Sequence, residues 1–591
     1  MTDNPFVETK PVASAVLGAT LVGSFIFALG LVLLFHVRPP MLPRSYGAVP
    51  FDLSDLARFG RRFLMGAECN AGLTKLIGID CRLSVLSRLI AVLGSSASAL
   101  MSALLLLTAP VVSAAMTYCA IYEQTPKREN VRTLRGRRPL FDADARASLR
   151  RRIAETGRAL ARGLWLAPHV QLTPAVEGYN VLAIGTQGSG KTSTFRALIE
   201  QVVERGDHLL IHDVKGDRTA GAPVDRAILI APHDARSWAY DIADDIQNLE
   251  HAREFAAHCV PRSDHDSLWG DGTRGVWADL VMALSFETNR RWSWPDLADA
   301  LLSPGLEIKE RLDRHGSGSA SRLVFGSADP EENRTTMSIL ITLWVAALTV
   351  VLPLAHAWGD IPATGRFSLR RWIDGDGKLP RVIILQKSSE YPTLSTAVGA
   401  FIVDRLAGLA MRPGRERNPA TRLTLCLDEL PECGKLHRLP NLLNVGRELG
   451  VVTIAAVQDI ASLIELYGEN TTGTLLARFR IKLVHQLNAG NTAERVVKLL
   501  GERTVEYPGS KEHDARTGRM IRKPVREMVP VFPMDRLEDE LGVRVEGDKT
   551  IARVLIMGLG NPAILDMPVT GWPDRRPGHV PATWLGGDEA I

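Results

Sequence analysis

An α/β fold, preceded by a pair of N-terminal transmembrane helices and interrupted by an all-α insertion, is what this sequence predicts. Three observations carry that expectation. Two long stretches near the N-terminus have no formal charge. A glycine-rich string, Gly185-Thr-Gln-Gly-Ser-Gly-Lys-Thr192, joins a short apolar run to a helical pattern. Far downstream, a second apolar run, Leu423–Leu427, ends in Asp428-Glu429.

Composition sets the outer bounds. The chain has 591 residues, room for three or four domains. Hydrophobic residues make up 46% and charged residues 23%, which argues against disorder of the whole chain. A net charge of +4 is too small to indicate a nucleic-acid partner by itself, although the positive charge bunches near the N-terminal third. Six cysteines do not make a disulfide scaffold. Cys119, Cys259, Cys426 and Cys433 lie in or after the second uncharged stretch, whereas Cys69 and Cys81 lie between the two. An exported loop would permit a Cys69–Cys81 disulfide, and two unpaired thiols fit the sequence equally.

The first span is read over 12–35, close to the length a helix needs to cross a bilayer. A cleaved signal peptide fits poorly, because the apolar run is too long and MTDNPFVETK is as acidic as it is basic. The second uncharged stretch lies between Arg88 and Glu123, and its helix is placed near 97–122. Pro110 falls inside it, which a membrane helix tolerates. Lys127, Arg128, Arg132, Arg135, Arg137 and Arg138 follow, then Arg146 and Arg150 to Arg152. Such a cluster marks the cytoplasmic side and leaves the loop 37–88 periplasmic. Arg58, Arg61 and Arg62 in that loop weaken the contrast, but a nucleotide site must face the cytoplasm and decides the orientation.

The run Val181–Ile184 reads as a buried strand, and Ser193 to Arg205 as a helix. Between them, G-x-x-x-x-G-K-[ST] stands in the strand–loop–helix context its chemistry requires. Glycines at 185, 188 and 190 let backbone N–H groups of Thr186, Gln187, Ser189 and their neighbours wrap phosphates. The helix N-terminus, through Ser193, adds a favourable dipole. Lys191 is expected to reach the β/γ-phosphates of ATP, and the Thr192 hydroxyl to bind Mg²⁺. Asp428 would hold the metal and Glu429 would polarise the attacking water. Two further strands fit the same sheet: Leu209–His212, which runs into Asp213-Val-Lys-Gly-Asp217, and Val451–Val457, which runs into Gln458. A polar residue at such a strand end is placed to sense the γ-phosphate, or else Gln458 simply caps its strand. Arg447 falls in a helix predicted over Leu442–Glu448, where it is either an arginine finger for a neighbouring subunit or a surface arginine.

The long separation of Lys191 from Asp428 exceeds what a compact sheet needs, so an insertion is implied. It reads helical over Ala252–Cys259, Thr273–Phe286, Trp294–Leu302, Glu307–His315 and Glu332–Val351. The stretch Met337–Leu354 is apolar enough for a third span. A buried helix is preferred, since a span there would put the two halves of the site on opposite sides of a membrane. The resulting order is a membrane anchor, 1–126; a first part of the ATPase domain, 127–250; an all-helical insertion, 251–358; a second part, 359–570, with late strands at Ile551–Met557 and Ala563–Asp566; and a flexible tail, 571–591.

These residues together resemble the TraD/TraG type of coupling protein of conjugation and type IV secretion. The resemblance runs through two spans, a basic linker, GTQGSGKTS, DVKGD, APHDARSWAYDI, FSLRRWI and LCLDELPECGKLHRLPNLLNVGRELGVVTIAAVQD. It continues through LIELYGENTTGTLLARFRIKL and NTAERVVKLLGE. It implies a RecA-like P-loop ATPase domain crowned by the helical insertion, with six subunits around a channel. It implies that Lys191, Thr192, Asp428 and Glu429 serve ATP and Mg²⁺, that Gln458 senses nucleotide, and that Arg447 acts across the subunit interface. The implied partners are DNA held without sequence preference, a relaxase, type IV secretion channel components and the bacterial inner membrane. The C-terminal tail departs most from the family pattern. Alternatives are a substrate-recruiting receptor that uses ATP only for assembly, and an FtsK-like chromosomal DNA translocase. The latter favours four spans and a DNA-reading C-terminal domain. A membrane AAA protease would need H-E-x-x-H and an ABC exporter an LSGGQ-like signature, and neither string occurs.

Overall fold

The computed structural model describes residues 20–26, 41–44, 47–50, 108–117, 132–159, 163–260, 267–315, 324–325, 333–375, 377–414, 422–513 and 520–586. Most of the two expected spans, the loop between them, and Cys69, Cys81 and Cys119 lie outside the described residues. Contacts divide the chain into two units, 1–134 with 505–527, and 135–504 with 528–591. This cut differs from the sequence expectation of one continuous segment over 359–570.

In the first unit, residues 20–26 and 108–117 are helical. They meet at Gly23, where a Cβ would lie 3.2 Å from the Pro110 carbonyl oxygen and 3.3 Å from Ala114 Cβ. A three-stranded sheet joins Arg132–Arg135 to the ribbon Glu502–His513 and Met520–Pro530.

The second unit is built on one sheet of eleven strands. In chain order they are β1 (Leu140–Phe141), β2 (Val181–Ile184), β3 (His208–Asp213), β4 (Ile228–Ile230), β5 (Val382–Gln386) and β6 (Leu423–Leu427). There follow β7 (Val451–Val457), β8 (Ile481–Val484), β9 (Gly542–Glu546), β10 (Lys549–Met557) and β11 (Ala563–Pro568). Across the sheet the order is β1-β11-β10-β8-β2-β7-β6-β3-β5-β4, with β9 paired to β10. The run from β8 to β4 is parallel, and β10 joins it antiparallel through β8. The late strand pair expected at 551–557 and 563–566 is present as β10 and β11.

Strands buried on both faces carry continuous apolar runs, and alternate residues serve different layers. Leu209 and Ile211 of β3 face one core with Phe195, Leu198, Ile199 and Val202 of α2 (Lys191–Arg205) and with Leu149 of α1 (Asp142–Ala154). Leu210 between them faces the other core, shared with the insertion and with α10 (Pro392–Ala410).

The insertion folds as α4 (Leu249–Cys259), α5 (Ser267–Glu287), α6 (Trp294–Leu302), α7 (Gly305–His315), α8 (Arg334–Ala346) and α9 (Leu352–Trp358). A short helix, α3 (Asp217–Gly221), precedes it. A π-helical turn over Ala347–Val351 joins α8 to α9, so the last helix runs beyond its expected end at Val351. Its residues Ile339, Leu340, Leu343, Val350, Val351 and Leu354 belong to the core, which suits the buried-helix reading. Ile341, Val345 and Leu348 face outward, each about half exposed. Length and apolarity alone would let this helix, or α10, cross a membrane; 72% of the apolar window of α10 is buried within the fold.

The expectation of a loose chain beyond Gly571 is not met over 571–586. Arg575 and Arg576 donate their N–H groups to the Ala220 carbonyl. Val580 donates to the Asp234 carboxylate at 2.9 Å, Pro581 bridges Asp234, and Trp584 Nε1 reaches the Pro232 carbonyl at 2.7 Å. Proline and glycine removed the periodicity that signals order, yet the same residues suit a strap whose donors find partners on another element.

Candidate nucleotide site

The parallel register brings the carboxyl ends of β2, β7, β6 and β3 into line. Ile184 pairs Val457, Ala455 pairs Leu427, and Leu427 pairs His212. The segments that follow these strands therefore converge, as in open α/β sheets generally.

The loop 185–190 leaves β2 between β7 and β8. Gly185 N–H donates to Val457 O, and Thr186 N–H to Gln486 O at 2.9 Å. The Thr186 hydroxyl also reaches Gln486 O, at 3.1 Å, and Ser189 Oγ donates to Thr186 O at 2.7 Å. Gly188 and Gly190 adopt φ of +80° and +96°, where a side chain would be strained. At Gly185 the demand is one of space: a Cβ would lie 2.6 Å from His485 Cβ. Gln187 is exposed at the tip, and Thr192 is exposed at the start of α2. Ser193 behaves differently. Its hydroxyl is committed to the strap, accepting from Thr570 N–H at 2.6 Å and donating to Thr570 O at 3.1 Å.

Lys191 is nearly buried, and its ammonium folds back onto the carbonyls of Gly185 and Thr186. Burial lowers it to about 8, against the attraction of Glu429 and Asp428, while Lys215 adds repulsion. Glu429 is raised to about 7 by burial; the Gln458 N–H and the Lys191 charge pull the other way. Gln458 donates that N–H to Glu429 Oε1 at 3.0 Å. One ammonium thus faces two carboxylates across the glycine-rich loop. This donor set, with the Thr192 hydroxyl at its rim, suits a phosphate chain together with a hard divalent cation.

Arg447 is not part of this cluster. It follows α11 (Leu439–Val445) and stacks on the Tyr179 ring at 4.8 Å, beside Gly178. Tyr179 precedes β2, so the exposed Arg447 sits at the end of the strands opposite the loop.

Two side chains at the site went unread in the sequence. His485 directly follows β8 and is fully buried, with Nδ1 3.1 Å from Ser189 O. Burial lowers it to about 4, so its imidazole is neutral near pH 7. The signal was available: a polar residue at a strand end, the argument already applied to Gln458. Arg218 of α3 reaches Asp428 Oδ1 at 3.0 Å, and nothing in the local pattern revealed it.

A parallel run of strands with a glycine cradle at one strand end and a carboxylate pair two strands away, β7 lying between, defines a P-loop nucleotide-binding protein. Comparison with known proteins narrows the class. Residues 166–533 match the family model described as the type IV secretion-system coupling protein DNA-binding domain, and the chain belongs to that family. The chain is 24% identical over 331 residues to coupling protein TraD of Escherichia coli K12, which is 54% of this chain and 43% of the relative's length. Less than half of that relative is therefore spanned. The conjugative coupling protein TrwB lacking its first 70 residues superposes with a TM-score of 0.60 at 22% identity, covering 76% of this chain and 97% of that one. TrwB in complex with ADPNP gives 0.59 at 22% identity (76% and 98% covered), and TrwB with ADP and Mg²⁺ gives 0.59 at 21% (again 76% and 98%). At these identities the structural likeness shows the fold.

Proposed function

We propose that this protein is a membrane-anchored ATPase that couples a DNA–relaxase substrate to a type IV secretion channel and drives the DNA through it. One observation carries the reading: Lys191, Asp428, Glu429 and Gln458 converge at the strand ends in a family defined by a DNA-binding domain. Lys191 exchanges its Gly185 and Thr186 carbonyls for the β/γ-phosphates of ATP. Thr192 and Asp428 hold Mg²⁺, which supplies charge neutralisation at the phosphates. Glu429, raised towards neutrality, takes the proton of the attacking water, and Gln458 fixes its position. Arg447, at the far end of the strands, serves a neighbouring subunit in a ring of six. The apolar stretches 12–35 and 97–122 anchor the ring in the inner membrane. DNA is held by its phosphates, without sequence preference.

The test is ATP hydrolysis by the full-length chain in detergent, with and without single-stranded DNA, beside Lys191→Ala and Glu429→Gln. The expected result is DNA-stimulated hydrolysis that falls at least about a hundredfold in both variants. Hydrolysis indifferent to DNA, in samples shown to form rings, would replace the pump with a receptor that recruits protein and uses ATP for assembly.

A further inference from the structure

Arg218 is the one cation hydrogen-bonded to Asp428 among the described residues, and the chain goes to some length to bury it there. Asp213, at the end of β3, accepts from Gly216 N–H at 2.9 Å, Thr219 N–H at 2.7 Å and Thr219 Oγ1 at 2.8 Å. Those bonds close the turn and start α3, with Gly216 at a φ of +81°. The turn sends Arg218 inward, where its side chain has no exposed surface. Trp572 of the strap covers it, with the guanidinium 5.7 Å from the ring centroid. Trp572 packs this close because residue 221 is glycine; a Cβ there would lie 2.8 Å from Trp572 Cβ. The indole N–H is tied to Glu200 of α2. Arg218 Nη2 donates to Asp428 Oδ1, while Nε and Nη1 are buried without a hydrogen-bond partner among the described residues.

A guanidinium keeps its charge in any protein environment, and one buried completely, as Arg218 is, needs an anion beside it; Asp428, partly exposed, supplies one. We propose that Arg218 is the built-in counter-ion of Asp428, neutralising it until a divalent cation arrives and so setting how much of that cation the site demands. This rests on the reading of Asp428 as the metal carboxylate. A divalent cation drawn to Asp428 meets a fixed positive charge on the oxygen next to its own ligand, and the repulsion weakens its hold. The two orphaned donors suit a group with more than one arrangement: among the described residues no other hydrogen bond holds the guanidinium when the carboxylate turns to the metal, and Trp572 and the Asp213 charge keep it in place beside the site.

The experiment titrates Mg²⁺ into the full-length chain in detergent with a fluorescent ATP analogue and reads the half-saturating Mg²⁺ concentration. Melting temperatures are recorded in EDTA and in Mg²⁺. Arg218→Met is expected to lower the half-saturating concentration about tenfold, and to melt lower in EDTA with recovery on adding Mg²⁺. Asp428→Asn is expected to raise the requirement. If Asp428→Asn shifts it and Arg218→Met does not, the counter-ion inference is wrong and the site reading stands. If Asp428→Asn leaves it unchanged, the site reading fails and takes the inference with it. Should Arg218→Met not fold, the double variant Arg218→Met/Asp428→Asn decides. It should melt above Asp428→Asn alone, because it no longer buries an unpaired cation. A double variant melting at or below that single one overturns the proposal.

Discussion

Glu429 shows how burial tunes a single side chain. Its carboxyl is raised from 4.5 to about 7, so the folded protein holds a proton there that the unfolded chain has released. Between those values the folded state binds more protons than the unfolded state, and stability falls as pH rises through the window. Glu429→Gln removes that dependence. Its melting temperature should decline less than the wild type's between about pH 5 and about pH 7; parallel curves would mean that the group titrates elsewhere. Hydrolysis has the opposite sign, since a base must be deprotonated: the rate should climb through about pH 7. His485 makes a second case. With its neutral ring against Ser189 O, it supports the cradle from below. His485→Ala removes the support and leaves a cavity beneath Gly185. It should weaken binding of a fluorescent ATP analogue about tenfold, while DNA binding by gel shift stays within about twofold.

At the scale of elements, the strap over 570–586 is the surprise. Residues with little intrinsic order are held because several find partners on α2, α3, the loop after β4 and the end of β5. Gln386 at the end of β5 donates to Gly578 O, and His579 stacks on His233 at 5.3 Å. Truncation after Thr570 removes these bonds and uncovers Arg218. It should lower the melting temperature by about 5 °C or more in calorimetry. Unchanged melting would show that the strap adds nothing. The helix formed by α8 and α9 teaches the complementary lesson. Its composition allows a membrane span, yet one stripe of it joins the common core. The outward residues Ile341, Val345 and Leu348 gave the apolar stretch its uniform look in sequence.

For the whole second unit, one sheet separates two cores, and the helical insertion shares one of them with the strands. Packing therefore draws no line at 250 or 358. Trp277 of α5 is fully buried in that shared core. Trp277→Ala should cost about 3–5 kcal/mol by denaturant melts. Because the core is common, sheet and insertion should unfold together in one transition. Separate transitions would mean that the insertion is an independent domain. If DNA runs through a ring of such subunits, stimulation of hydrolysis should be blind to base sequence. It should also fall steeply as salt rises from about 50 to about 200 mM.

Local chemistry was enough to read the loop 185–192, the pair Asp428-Glu429, the strand that delivers Gln458 and most helices of the insertion. Each has a short-range cause: glycine where φ is positive, a β-branched run, an apolar period. The sequence by itself therefore determined the class of fold and most of the side chains that converge at the candidate site. Only the tertiary structure decided which side chains surround that cluster from afar. Arg218 meets Asp428 across 210 residues, Thr570 takes the Ser193 hydroxyl across 377, and His485 lies 296 residues from the carbonyl it supports. It also placed Arg447 at the opposite end of the strands. Such meetings depend on which strands become neighbours, and strand order in a parallel sheet is set by the packing of the whole chain, which no local pattern records.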